Sequence, residues 1–544
     1  MKYRKLVAAI SAGLIVFAST LAAQDVEVTA ADPPAAEQGT FNLDVKITGK
    51  GFKQGARSAF FVTGTTNPGG IVVKSTRYVS PTQLIANIDV AETAELSKFD
   101  IEVQLTSGRT GKGIELFTVV AKGNACVLEP LPGGITLLGT LNNGPDYYRP
   151  WFGSAVAARM ATLGGRQVVV AAVGTILANN VEMFFLDPDT GAVLDGQVIG
   201  SATARQPHIT NLITTADCGA DEADMGDVNR DGFPDIAVAD TNRGSVHVFL
   251  SSLDAQTGVL TYGDAFALAQ AGAAQYGSSI AFGDLNGLPG DELVVGARGG
   301  LQYNGSVLVY AFNGISFNLV KTIADPAPNK KKDAWFGQSV AVGDVAGGND
   351  NELIVGAANS SKELTQAGRV YVFLDPLGSN PPSLVLSGTN RDDRLGYQVA
   401  VAEVDGQPVP DLVAATDWNG PAVRALLYPG PVSSGASSTQ TWSPRLGYEG
   451  GWATSPLATE DLNGDGKADV LIGAGNATCG GAMHLYLTGD PQSKMLQAPE
   501  PDPWFYGWSV AAVPGTRLFL VGEKGRHLPP GGLVAGQVYV YKVD

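Results

Sequence analysis

A phrase repeated seven times constrains this chain more than any other feature. It consists of an aromatic or apolar residue, a glycine, then small residues alternating with Val or Ile. It reads Trp151-Phe-Gly-Ser-Ala-Val-Ala, Tyr276-Gly-Ser-Ser-Ile-Ala, Trp335-Phe-Gly-Gln-Ser-Val-Ala, Leu395-Gly-Tyr-Gln-Val-Ala and Tyr506-Gly-Trp-Ser-Val-Ala, with weaker copies at Cys218-Gly219 and Gly451-Trp452. Its glycines stand at 153, 219, 277, 337, 396, 451 and 507, separated by 66, 58, 60, 59, 55 and 56 residues. A period of this length marks structural units that bury their faces by stacking on one another.

Each unit continues alike. An acidic loop leads to an apolar run: Asp235–Ala239, Leu293–Ala297, Leu353–Ala357, Val470–Ala474. A third strand follows at Ser245–Phe249, Ser306–Tyr310, Arg369–Phe373 and Gln537–Tyr541, and a less regular fourth at Ser383–Leu386. Four strands per unit predict an all-β chain whose residues 134–544 form a seven-bladed β-propeller. Ala, Ser and Gly in each first strand fit the crowding around a central channel. The last unit ends at Tyr541 without a fourth strand, and Gly134–Gly139 matches Ser383–Gly388. Residues 134–140 are therefore expected to complete the last blade, covering an edge that would otherwise be exposed. Glycine at 69 of 544 residues and charged residues at 16% suit many short strands and tight turns.

Residues 24–122 lack the repeat. Their alternating strands (Phe41–Ile47, Ile71–Lys74, Gln83–Ile88, Phe99–Leu105, Ile114–Val119) predict a small immunoglobulin-like sandwich, with residues 123–133 as linker. Residues 1–23 read as a signal peptide: Lys2, Arg4 and Lys5, an apolar run from Leu6 to Phe17, then small residues to Ala23. Gln24 follows rather than Cys, and no later segment is long and apolar enough to span a bilayer. The expected mature chain is a secreted monomer. Cys126, Cys218 and Cys479 leave at least one thiol unpaired within the chain, and their pairing stays open. A net charge of −17 argues against nucleic acid as a partner. That excess means either solubility or cation binding, and the spacing of the acids decides between them.

Two loops carry that spacing: Asp227-Val-Asn229-Arg-Asp231-Gly-Phe233-Pro-Asp235 and Asp461-Leu-Asn463-Gly-Asp465-Gly-Lys467-Ala-Asp469. Oxygen ligands at positions 1, 3 and 5 wrap a hard cation, and Gly at position 6 permits the sharp turn. The carbonyl at position 7 and the Asp at position 9 complete the set. Calcium prefers such flexible, oxygen-rich cages. Position 12 is Val238 or Ile472 rather than Glu, and each lies in a strand run, which excludes an EF-hand. A metal-free polar turn is the alternative, and two full matches at one repeat position favour metal. Partial sets occur at Glu403, Asp405, Gln407 and Asp411, and at Asp284, Asn286 and Glu292 with Leu288 at position 5. Asp344 and Glu352 retain only the ends of the pattern.

Through Phe152-Gly153 and Phe336-Gly337, and through Gly296-Ala297, Gly356-Ala357 and Gly473-Ala474, the units resemble FG-GAP repeats, although the proline is absent. Such repeats build the integrin α-subunit propeller and many bacterial secreted proteins. The resemblance implies calcium between strands 1 and 2 of a blade, held by Asp227, Asn229, Asp231, Asp235, Asp461, Asn463, Asp465 and Asp469. It also implies a scaffold for binding. Ile47–Phe52 and Val79–Leu84 resemble an IPT/TIG module.

No G-x-S-x-G, H-E-x-x-H or glycine-rich phosphate loop is present, so the reading is a non-catalytic module binding extracellular protein or glycan. A propeller enzyme acting on polysaccharide, with structural calcium, is the second reading. His247 and His484 occupy equivalent third-strand positions, which points to a strand-face role. Lys330–Lys332 reads as a solvated loop. Tyr303, Trp418 and Arg526 fall in long connections expected on the propeller face opposite the acidic loops, the candidate partner face.

Overall fold

The computed structural model describes residues 26–120, 131–142, 152–175, 180–194, 222–241, 244–256, 258–270, 274–299, 305–327, 334–348, 350–378, 382, 384–416, 424–443, 456–475, 480–490, 493–499, 503–526 and 536–544. The chain divides into two compact units, Met1–Lys122 and Gly123–Asp544. The signal-peptide reading and the three cysteines lie outside the described residues.

In the first unit, two four-stranded sheets enclose one core. The first runs Glu27–Asp32, Leu43–Lys50, Gln83–Val90, Ile71–Ser80; the second runs Ala35–Glu37, Thr110–Val120, Lys98–Gln104, Arg57–Val62. Strict alternation along Gln83–Val90 sends Leu84, Ala86, Ile88 and Val90 inward. They meet Phe60, Phe99, Ile101 and Phe117 from the other sheet. Three strands absent from the sequence reading are Glu27–Asp32, Ala35–Glu37 and Arg57–Val62. The first two are edge strands with a single fully buried side chain between them, Val28, so they carry almost no apolar period. Asp100 is buried here. Burial would raise its carboxyl, but Lys112 Nζ at 2.8 Å and the amides of Glu115 and Gly64 outweigh that and hold it at about 2.

The second unit is a β-propeller. Among the described residues, seven antiparallel sheets follow in chain order. Their first strands are Phe152–Leu163, Glu222–Gly226, Ala274–Gly283, Phe336–Gly343, Gln398–Ala402, Leu457–Glu460 and Pro503–Ala512. Each packs against the first strand of the next sheet, and the seventh packs against the first. Six sheets have four strands. The first shows three, and the region expected to hold its fourth lies within 195–221, outside the described residues. The seventh sheet takes Ile135–Leu141 as its outer strand, antiparallel to Gln537–Val543, with Leu141 opposite Val538 and Ile135 opposite Val543. The two ends of the unit therefore share one sheet.

The repeated phrase is a bulge that locks neighbouring sheets together. Pairing slips between Phe152 and Ala155, Tyr276 and Ser279, Phe336 and Ser339, and Tyr506 and Ser509. At each slip the phrase glycine takes a φ between 80° and 86°, a region that side chains other than glycine rarely enter. Its carbonyl then points into the preceding sheet. Ser279 Oγ donates to Gly337 O (3.1 Å), Ser339 Oγ to Gly396 O (2.9 Å) and Ser509 Oγ to Gly153 O (2.8 Å). The same carbonyl lies so near the second-strand glycine that a Cβ on Gly296, Gly356, Gly473 or Gly522 would sit 2.0–2.3 Å from it. Gly522 meets Gly153, so this contact also joins the last sheet to the first.

Candidate metal centre

Both complete acidic loops join a first strand to a second: Glu222–Gly226 to Asp235–Asp240, and Leu457–Glu460 to Asp469–Ala474. Each is wound by its own side chains. Asp231 N donates to Asp227 Oδ1 (3.1 Å) and to Asn229 Oδ1 (3.1 Å), Gly232 N to Asp227 Oδ2 (3.0 Å) and Phe233 N to Asp231 Oδ1 (2.9 Å). The second loop repeats this through Asp465 N, Gly466 N and Lys467 N. Gly232 and Gly466, at position 6, have φ of 81° and 84°, as the turn requires.

The Asp at position 9 anchors each loop. Asp235 Oδ2 accepts from Val228 N (2.9 Å) and Asp469 Oδ2 from Leu462 N (3.0 Å) and Asn463 N (3.1 Å). Glu292, Glu352 and Asp411 do the same in the partial loops. This acid is thus a structural member of all five loops, which differ at positions 1, 3 and 5. Asp235 and Asp469 are wholly buried. Burial pushes the Asp235 carboxyl up to about 6, against hydrogen bonds from Ser251 and Val228, and Asp469 is raised for the same reason. A cation among these oxygens would reverse that trend.

The structure adds two residues that sequence reasoning missed. Ser251 Oγ lies 3.0 Å from Asp235 Oδ1, 3.4 Å from Asp231 Oδ1 and 3.3 Å from Phe233 O. Thr488 Oγ1 lies 2.8 Å from Asp469 Oδ1, 3.5 Å from Asp465 Oδ1 and 3.5 Å from Lys467 O. Each hydroxyl thus touches positions 5, 7 and 9 together, and the carbonyls of Phe233 and Lys467 do turn toward the cluster. Both hydroxyls stand two residues beyond the third-strand aromatic that faces the second strand, Phe249 or Tyr486. The same position holds Phe312, Asp375 and Gly430 in the partial loops. An aromatic-x-Ser/Thr pattern near the end of the third strand was the available signal.

The donor set of both complete loops is all oxygen, with three carboxylates, an Asn and a carbonyl, and it fits a hard divalent cation. In the partial set, Glu403, Asp405 and Asp411 bring one carboxylate oxygen each within 4.8 Å of one another, while Gln407 is exposed. In the Asp284 loop, Asn286 turns its amide nitrogen to Glu292, and Leu288 is 60% exposed with no oxygen to offer.

Neighbouring loops are tied by a recurring bond from position 8 of one loop to the position 1 carbonyl of the loop before. Asp291 N reaches Asp227 O (3.1 Å), Asn351 Nδ2 reaches Asp284 O (2.9 Å) and Ala468 N reaches Glu403 O (2.5 Å). Between the Asp344 and Glu403 loops, position 8 is Pro410, which has no N–H, and Val432 N bonds Val345 O instead (2.8 Å). Lys467 Nζ adds a bond to Asp405 O (2.8 Å).

His247 and His484 lie on third strands, opposite Val238 and Ile472. Tyr303, Trp418 and the side chain of Arg526 lie outside the described residues, as does Lys330–Lys332. No helix among the described residues is long and apolar enough to cross a membrane.

Residues 452–486, which include the Asp461–Asp469 loop, match the FG-GAP repeat family. Human integrin alpha-IIb is 32% identical over 154 residues, covering 26% of this chain and 15% of that protein. Chicken integrin alpha-V is 25% identical over 247 residues, covering 41% and 23%. The chain thus spans less than a quarter of these two relatives. Among solved structures, the Dos1 propeller aligns over 95% of this chain and 96% of its own at 11% identity and a TM-score of 0.36. The WD40 domain of Toxoplasma gondii coronin aligns over 76% and 88% at 10% identity and a TM-score of 0.38. The propeller assignment rests on the strand order and ring closure above.

Proposed function

We propose that this chain is a secreted, calcium-binding propeller that acts as a non-catalytic adhesion or binding module for an extracellular protein or glycan. The observation that carries the reading is the pair of complete loops, each with a hydroxyl set among its oxygens, from the third strand in Ser251 and from the turn after it in Thr488. Similarity to integrin α subunits and to the FG-GAP repeat supports a role in binding. In this reading Asp227, Asn229, Asp231, Phe233 and Asp235 hold one calcium, and Asp461, Asn463, Asp465, Lys467 and Asp469 hold a second. The bound ions supply charge compensation for buried carboxylates and stiffen the loops. Glu403, Asp405 and Asp411 form a third, weaker site. Partner recognition falls to the connections at the other strand ends, around Tyr303, Trp418 and Arg526, because long loops on a rigid frame suit recognition. Residues 24–122 would form an IPT/TIG-like domain released from a signal peptide at 1–23, and residues 134–544 would carry seven blades. The test is a screen of glycan and surface-protein arrays with calcium and with chelator. Calcium-dependent capture of a partner is expected. No calcium binding, or turnover of a polysaccharide, would overturn the reading.

A further inference from the structure

Six asparagines in this sequence precede a glycine, and one of them, Asn463, stands at position 3 of a complete acidic loop. The side-chain carbon of an asparagine can be attacked by the backbone nitrogen of the next residue, and a glycine there has no Cβ to block the approach. Gly464 is exposed and has a φ of 79°. The other complete loop places Arg230 at the same position, with a φ of 66°, so a Cβ stands beside the corresponding nitrogen.

Gly464 N donates to Asp461 Oδ1 (2.6 Å), so a carboxylate already draws on the proton that such an attack must release. The Asn463 side chain is held away by Asp465 N on its Oδ1 (2.9 Å). Longer bonds run from its Nδ2 to Asp465 Oδ2 (3.2 Å), Thr488 O (3.3 Å) and Asp469 Oδ1 (3.4 Å). Without a cation the carboxylates of Asp461, Asp465 and Asp469 repel one another, which works against these bonds. A cation held by Asp461 and Asn463 would engage both the carboxylate that draws the proton and the amide under attack. The Asp284 loop makes the same turn, with Gly287 N on Asp284 Oδ1 (2.8 Å) after Asn286. Its Leu288 offers no oxygen, so this pair carries the same chemistry without the cation.

We propose that Asn463–Gly464 is a deamidation site that loss of calcium from the Asp461 loop opens. The proposal rests on the calcium reading above. Gly464 N bonds to Asn463 Cγ, ammonia leaves, and the amide proton passes by way of Asp461 to water. Water then opens the resulting succinimide at either carbonyl, leaving aspartate or isoaspartate at 463. Aspartate keeps an oxygen at position 3. Isoaspartate adds a methylene to the backbone after position 3 and displaces positions 5, 7 and 9 from Asp461. That loop then no longer takes calcium, so a passing loss of the ion becomes a lasting one.

The test incubates the full chain with calcium and with chelator, below the melting temperature of the chelated protein. Peptide mapping by mass spectrometry follows the amide-to-acid conversion at Asn463 and Asn286, and native mass spectrometry counts calcium. If only the calcium-free loop reacts, calcium at about ten times its dissociation constant should slow Asn463 about tenfold. Asn286 should react equally in both conditions. Gly464→Arg, which copies the Arg230 loop, should end the reaction at Asn463. Chains with isoaspartate at 463 should carry one calcium fewer when calcium is restored. An unmodified Asn463 under chelator, an equal rate with calcium, an equal response at Asn286, or a full calcium count in the isoaspartate form would overturn the proposal. So would an unslowed Asn463 in Gly464→Arg; if that variant does not fold, the native chain decides. Bound calcium beside an unreactive Asn463 overturns this proposal alone, whereas no bound calcium and equal rates overturn the calcium reading with it.

Discussion

Closing the ring depends on a glycine that has no room for a methyl group. In Gly522→Ala the new Cβ would lie 2.3 Å from Gly153 O and 2.2 Å from Ser509 Oγ. The hydroxyl can rotate away, but the carbonyl belongs to a bulge backbone fixed by its own φ of 84°. Forcing the first and last sheets apart costs about 1–3 kcal/mol as overpacking. Losing the 2.8 Å bond from Ser509 to Gly153 adds about 1 kcal/mol. A total of about 2–4 kcal/mol should lower the melting temperature by about 2–5 °C in a unit of this size, because the unfolding entropy grows with chain length. Calorimetry of the full chain measures it, with Gly139→Ala as control, because a Cβ there meets nothing within 4 Å. The control should stay within about 0.5 kcal/mol of the parent. If Gly522→Ala melts with the parent, the glycine–carbonyl contact does not hold the ring closed.

Three further outcomes follow from the same geometry. Thr488→Val removes the hydroxyl bonded to Asp469 and should weaken calcium at that loop about 10–100-fold, as loss of an orienting partner does, while sparing the Asp227 loop; unchanged isotherms by calorimetric titration would refute the orienting role. A chain beginning at Asn142 lacks the outer strand Ile135–Leu141 and should aggregate or melt early, whereas one beginning at Pro130 should not; equal stability would show that this strand does not protect the edge. Asp100 lies below its ordinary value of 3.8, so its stabilisation is complete above about pH 5 and is lost as pH falls toward 2. Asp100→Asn should therefore lose on the order of 1–2 kcal/mol at neutral pH and flatten the acid limb of the first unit's melting curve; an unchanged acid limb would refute the ion-pair account.

What was legible in the sequence is what the backbone dictates. The phrase glycines mark a bulge, and the position 6 glycines mark a turn, because few other residues take those conformations. The D-x-N-x-D-G-x-x-D order put all its oxygens within nine residues, and the outer strand at Ile135–Leu141 followed from a missing fourth strand. Contacts between distant segments were hidden. Ser251 reaches its loop from the third strand and Thr488 from the turn just after it, 16 and 19 residues beyond the anchoring Asp. The position 8 bonds cross between sheets, so the meaning of Pro410 shows only once two loops lie side by side. In the first unit, Arg57–Val62 was missed because Ser58 and Phe60 face the core while Arg57 is exposed and Phe61 only partly covered, which blurs the apolar alternation.

The number of calcium ions bound per chain decides whether the acidic loops hold metal. Native mass spectrometry of the full chain, before and after chelation, should show at least two calcium ions per chain. Asp461→Ala should remove one and leave the Asp227 loop filled, Asp227→Ala the reverse, and the double variant should match the chelated protein, with a lower melting temperature in each step. A chain that carries no calcium, and melts identically with calcium and with chelator, would contradict the account.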